Sequence, residues 1–176
     1  VLLSICLATA SAQAAVVLQV SGGKLTGALN VDVGGVLYDV EFRDGTCIEV
    51  FSGCDDASDF TFHSSAAALL ASQALLDQVF IDTPALSLDS VPELTRGCES
   101  NSICVIETPY AYTPTLWIVA IRNFNSVDND YAQSDPLWAT WDTASTPETY
   151  AIWVNQATIP EPSTLICLIT AGLVVR

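Results

Sequence analysis

The sequence predicts an α+β fold, a mostly antiparallel β-sheet with one packed α-helix. Three observations carry this. Apolar and polar residues alternate with period two on both sides of Gly34-Gly35. The Ala-rich stretch "HSSAAALLASQALLDQVF" places Leu69, Leu76 and Phe80 on one helical stripe. Four cysteines fall in two close pairs, "CIEVFSGC" and "CESNSIC", which suits a disulfide-stapled body.

The chain starts with an apolar stretch, Val1 to Leu7, followed by small residues. Ala12-Gln13-Ala14 is a small-x-small cleavage site, with Ala10-Ser11-Ala12 as the alternative. Residues 1–14 therefore read as the rear of a secretory signal removed by signal peptidase. No Met and no basic segment precede the apolar stretch, so the front of the signal is read as missing.

Residues 15–157 form the body. Leu29, Val31 and Val33 alternate with polar residues, as do Val36, Tyr38, Val40 and Phe42. A two-residue hairpin loop at Gly34-Gly35 opposes Val33 to Val36, Val31 to Tyr38 and Leu29 to Val40. All these apolar side chains then share one face. A three-residue loop, Arg43-Asp44-Gly45, extends that face by opposing Val40 to Ile48 and Tyr38 to Val50. The expectation is a three-stranded meander over about 28–51 with a wet acidic face of Asp32, Asp39, Glu41 and Glu49. The helix is expected over about 65–80, capped by Ser64 or His63. A loop with Pro84 and Pro92 then runs to Cys104, and strands follow at 115–124 and 148–154. The polar stretch between those two strands, with Trp138 and Trp141, reads as a loop.

Composition narrows the function. The chain has 20 Asp and Glu against 5 Lys and Arg, a net charge of −15. The body keeps all the acids but Glu161, against Lys24, Arg43, Arg96 and Arg122. Such a surface repels phosphate backbones, which argues against nucleic acid. Hydrophobic residues make up 51%, enough for a core. In an exported chain, Cys47, Cys54, Cys98 and Cys104 imply two disulfides in one of three connectivities. The local one, 47–54 with 98–104, is favoured because each pair brackets a turn-forming stretch. The spacings are too long for zinc knuckles.

No nucleophile motif, zinc-protease motif or phosphate loop is present. His63, the single histidine, sits at a helix start, where capping or a surface role accounts for it. Two clusters, Asp55/Asp56/Asp59 and Asp128/Asp130/Asp135, have the oxygen-rich composition calcium needs, but neither fits an EF-hand loop. Trp138 and Trp141, with Tyr131 near in sequence, could stack on a carbohydrate. A carboxylate pair could run glycoside hydrolysis, but nothing in the sequence singles one out. The body is read as non-enzymatic, with no cofactor and no metal. The alternatives are a calcium- or glycan-binding adhesin module and, behind it, a secreted hydrolase.

The chain closes on "IPEPSTLICLITAGLVVR". Pro160 and Pro162 break structure arriving from the body, Ser163-Thr164 can cap a helix, and an apolar run ends on Arg176. A cation there would be held on the cytoplasmic side of a membrane. Pro160, Glu161, Pro162, Ser163 and Thr164 with the apolar run and terminal Arg resemble the sorting signal of PEP-CTERM proteins. That resemblance covers the tail, supported by the N-terminal signal, and implies nothing about the body's fold. It implies recognition by an exosortase, a membrane-embedded sorting enzyme of Gram-negative bacteria. It further implies transient residence in the inner membrane, then delivery to the cell surface or an exopolysaccharide matrix. Residues 164–175 would span about 18 Å as a helix, short of a bilayer core of about 30 Å. The segment 158–176 is therefore read as a sorting signal with a truncated transmembrane helix.

Overall fold

The computed structural model describes residues 14–98, 102–126 and 130–156. The signal segment up to Gln13 and the sorting tail lie outside the described residues. Among the described residues no helix is long and apolar enough to cross a membrane.

Among the described residues seven strands form one mixed sheet in the order β1-β2-β3-β7-β4-β5-β6. They are β1 (Val17–Ser21), β2 (Lys24–Val33), β3 (Val36–Arg43), β4 (Ile103–Tyr112), β5 (Leu116–Phe124), β6 (Tyr131–Leu137) and β7 (Glu148–Asn155). Every neighbouring pair is antiparallel except β4 and β7, which are parallel. The main helix, α2 (Ser65–Gln78), packs on one face of this sheet, and a one-turn helix, α1 (Cys47–Val50), follows β3. The α+β class and the largely antiparallel sheet agree with the sequence.

The hairpin at Gly34-Gly35 forms with both glycines at positive φ, 64° and 90°, which a type I′ turn requires. Val33 opposes Val36 and Val31 opposes Tyr38, as the pattern predicts. The third expected pair does not form, because Ala28, not Leu29, opposes Val40. Leu29 and Asn30 together face Asp39, with Asn30 at φ 61°. This bulge brings Ala28, Val31 and Val33 into the core and leaves Leu29 half-buried on the opposite face.

The expected third strand of the meander is absent. Residues 47–50 coil into α1 because Thr46 and Glu49 close a capping box. Thr46 Oγ1 accepts from the Glu49 amide at 3.3 Å, and Glu49 Oε2 accepts from the Thr46 amide at 3.0 Å. The edge of β3 reserved for that strand is taken by β7, with Val40 opposite Trp153. Strand pairing continues instead on the other side, where β1 adds to β2.

The helix is capped by Ser64, whose Oγ accepts from the Ala67 amide. Its buried stripe is Ala68, Ala71, Ser72, Leu75 and Val79. Of the expected stripe, Phe80 is buried and Leu76 packs half-buried against the same core, whereas Leu69 is 43% exposed. Small residues at 68, 71 and 72 let the helix approach the sheet closely, with Phe42, Phe80, Ile106 and Ile121 filling the same core. The stretch expected as a polar loop contains β6. It is an edge strand, and the edge tolerates its polar residues and Pro136.

The two sheet faces carry different covers. The α2 face holds the main core, including the Cys98–Cys104 disulfide. The other face holds a smaller core of Val105, Ile118, Ala120 and Tyr150 under the segment containing Cys47–Cys54 and Phe60. That cover reaches only part of this second face.

Candidate functional site

The uncovered part of the second face is a groove. Twist and the β2 bulge curve β1, β2, β3 and β7 around a cavity of about 700 Å³. Its floor is Gly27 beside the main chain of Val40, with Leu29, Ile152 and Val154 as apolar wall. Register explains the bare floor: Gly27 opposes Glu41, and Glu41 opposes Ile152. A Cβ on Gly27 would lie 2.2 Å from the Val40 carbonyl oxygen, so no side chain fits there. The groove's charged lining is Lys24 at the start of β2 and Arg96, with Asp39 and Glu41 from β3. The Arg96 amide donates to the Leu25 carbonyl at 2.9 Å, and Lys24 Nζ donates to the Glu93 carbonyl. These bonds tie both cationic residues to the same end of the sheet. Asp39 is held by the Asn30 amide at 3.1 Å and by Gln156 Nε2 at 2.5 Å. Glu41 takes both its bonds from Arg43.

Beside the groove, under the disulfide-closed cover, lies a buried polar cluster. Glu107 is 2% exposed and Tyr150 is fully buried, and the two are cross-strand neighbours on β4 and β7. Glu107 Oε2, Tyr150 Oη and Arg122 Nη1 are all buried without a hydrogen bond of regular geometry. Arg122 Nη2 bonds Asp135 Oδ2 at 2.8 Å, and Glu148 accepts from Trp141 Nε1 at 2.5 Å. Burial pushes the Glu107 carboxyl well above the usual range, and the Glu148 charge adds to this. The Tyr150 hydroxyl and the Arg122 charge oppose that rise only in part. Burial and then Glu107 in turn push the Tyr150 hydroxyl upward.

The predicted sites fare differently. Cys47–Cys54 and Cys98–Cys104 are bonded, with Cα separations of 5.7 and 5.2 Å. Ala14 is exposed, whereas Ala12 lies outside the described residues, as do Asp128 and Pro160, Glu161, Pro162, Ser163 and Thr164. Asp130 and Asp135 stay apart. Asp130 Oδ1 accepts from the Phe124 amide at 2.8 Å, while Asp135 pairs with Arg122 further along β6. Asp56 and Asp59 turn their oxygens onto the local backbone in a capping box. Among the described residues no group of three or more His, Cys, Asp or Glu is arranged to hold a metal ion. His63 Nε2 lies 2.8 Å from the Phe60 carbonyl oxygen, within its own turn. Tyr131 packs on Phe124 at the start of β6, whereas Trp138 follows its far end. Seven extended residues span roughly 20 Å, so Tyr131 stands apart from Trp138, whereas Trp138 and Trp141 are both exposed and share a turn in which the Trp141 amide donates to the Trp138 carbonyl at 2.8 Å.

The sequence reading passed over Glu107, Lys24 and Arg96. A signal existed for each. Glu107 is a lone charge in the apolar run "ICVIETPY", and the cations are scarce enough in this chain to be worth following singly.

A second carboxyl pair gives a pH prediction. Asp130 is pushed up from 3.8 to about 6, first by burial and then by Asp89 beside it. Its folded form therefore holds a proton that the unfolded chain has released. The stability present below about pH 3.8 is lost as pH rises through about 6. Asp130→Asn keeps the acceptor for the Phe124 amide and offers a donor to Asp89. It is expected to raise stability at pH 7.5 by about 1 kcal/mol, after a discount for solvent screening. Little change is expected at pH 4, and urea unfolding at the two pH values checks both.

Comparisons of the chain with protein-family models, with curated proteins and with solved structures find no match.

Proposed function

We propose that this is an exported protein of a Gram-negative cell surface or exopolysaccharide matrix, sorted by an exosortase, with a body that binds rather than catalyses. The observation that carries the reading is the combination of the Pro160-Glu161-Pro162 tail with a body holding two buried local disulfides. Such disulfides persist in oxidising compartments. The acidic composition adds solubility there.

Within that reading, the groove favours a glycan-binding module over the alternatives. It is concave, with an apolar wall and a few polar and charged groups, as ligand sites are. The hydrolase alternative has less support. Glu107, the acid whose raised pKa best suits a general acid, is sealed beneath the cover and has no path to a glycosidic oxygen. The calcium alternative has less still, since Asp56 and Asp59 spend oxygens on their own backbone.

The intact mass of the mature protein, made in hosts with and without an exosortase, tests the sorting claim. The expected result is a signal removed at Ala14 and a tail lost near Pro160–Pro162 only when the enzyme is present. The mass should also lie four hydrogens below the reduced value, for two disulfides. A tail retained in both hosts overturns the reading.

A further inference from the structure

We propose that the groove on the outer face of β1, β2, β3 and β7 binds an acidic sugar of a polysaccharide, with Lys24 and Arg96 holding its carboxylate. The argument starts from the cations. Arg43 pairs with Glu41, and Arg122 pairs with Asp135. Among the described residues, Lys24 and Arg96 have no carboxylate partner. In a chain of net charge −15, where acids abound, two cations in the same groove without a carboxylate partner among the described residues, Lys24 bonded only to the Glu93 carbonyl, stand against the global field. They make a local seat for one negative group, while the surrounding surface rejects dense polyanions.

The rest of the groove narrows the ligand. Asp39 and Glu41, which also line the groove, accept hydrogen bonds and repel a second anion. The occupant therefore combines a single anionic group with hydroxyl donors. Ile152 and Val154 offer an apolar wall on which the C–H face of a sugar ring can lie. Gly27 adds no side chain to the groove lining. An acidic peptide fits less well. An added peptide strand would have to pair at the outer edge of β1, away from the groove floor, where β2, β3 and β7 already pair on both edges. A uronate residue has the carboxylate, the hydroxyls and the ring. The assignment rests on the matrix reading for the source of the polymer, and on the groove alone for its chemistry.

The test is calorimetric titration of the mature oxidised protein with a galacturonate tetramer, its fully methyl-esterified form and inorganic phosphate. Binding to the acid form is expected, weakening as salt rises, with at least a tenfold loss for the ester and for Lys24→Gln/Arg96→Gln. Amide and methyl chemical shifts of the unmodified protein should move at Gly27, Ile152 and Val154. These shifts keep the test valid if the double variant folds poorly. No binding to the acid form, equal binding to ester or phosphate, or shifts confined to another surface overturns the proposal. Binding by a protein whose tail is never processed upholds the groove and removes the sorting claim. Correct processing without binding removes the groove assignment alone.

Discussion

Alanine at position 27 is expected to destabilise the fold by about 3 kcal/mol or more. The added methyl would lie 2.2 Å from the Val40 carbonyl oxygen and 3.1 Å from Glu41 Cα. Both are main-chain atoms, so relief requires β2 to move away from β3. That movement would disturb the Gly27–Glu41 and Ala28–Val40 pairs. Gly35→Ala is the control. There φ is +90° and the new methyl meets nothing within 4 Å, so the cost is backbone strain alone, about 1–2 kcal/mol. Urea unfolding of the two variants separates close approach from strain. Equal losses would mean that the contact at Gly27 is not what excludes a side chain.

Glu107→Gln is expected to remove much of the decline in stability toward alkaline pH. The carboxyl is raised in the folded state, mainly by burial. Its contribution is therefore whole below the ordinary glutamate value and is lost as pH rises through the folded value. Above that point the fold must bury a carboxylate whose Oε2 has no regular partner, and an uncompensated buried ion costs on the order of several kcal/mol. Glutamine has nearly the same shape and never ionises, and its amide can donate to the Tyr150 hydroxyl. Unfolding midpoints at pH 4.5 and pH 8.5 should be similar to each other in the variant, apart from the smaller slope left by Asp89 and Asp130. In the unmodified protein the alkaline midpoint should be clearly lower. Parallel pH profiles for the two proteins would show that Glu107 stays ionised in the fold.

Much of the architecture was legible because it depends on near neighbours in the chain. The Gly34-Gly35 turn, the alternation flanking it, the Ser64 cap and the two local disulfides each state their own geometry. The stretch 46–50 misled because its alternation suits a strand while Thr46 and Glu49 also spell a capping box. Which of the two forms depends on whether the edge of β3 is free, and a strand about a hundred residues away occupies it. β4 was obscured by Pro109, which the strand absorbs at an irregularity in its pairing with β5. β6 carries an edge strand's polar composition and reads as loop. The groove was illegible for a further reason. Its walls come from β1, β2, β3, β7 and the segment holding Arg96, so no contiguous stretch contains it.

The place of β7 has a consequence for the order of assembly. The last strand among the described residues sits between β3 and β4 and joins three strands on one side to three on the other. Until residues 148–155 arrive, the sheet can exist only as two halves, β1-β2-β3 and β4-β5-β6, each with an unsatisfied inner edge. Each half has its own disulfide close by, Cys47–Cys54 after β3 and Cys98–Cys104 before β4, so oxidation need not wait for closure. Closure must wait, because it requires pairing such as Tyr38 with Asn155, the kind of distant contact that slows folding. A chain crossing a membrane amino-terminus first would thus carry two sticky, half-made sheets until β7 is through. During that interval the open edges of β3 and β4 are where a second chain would attach.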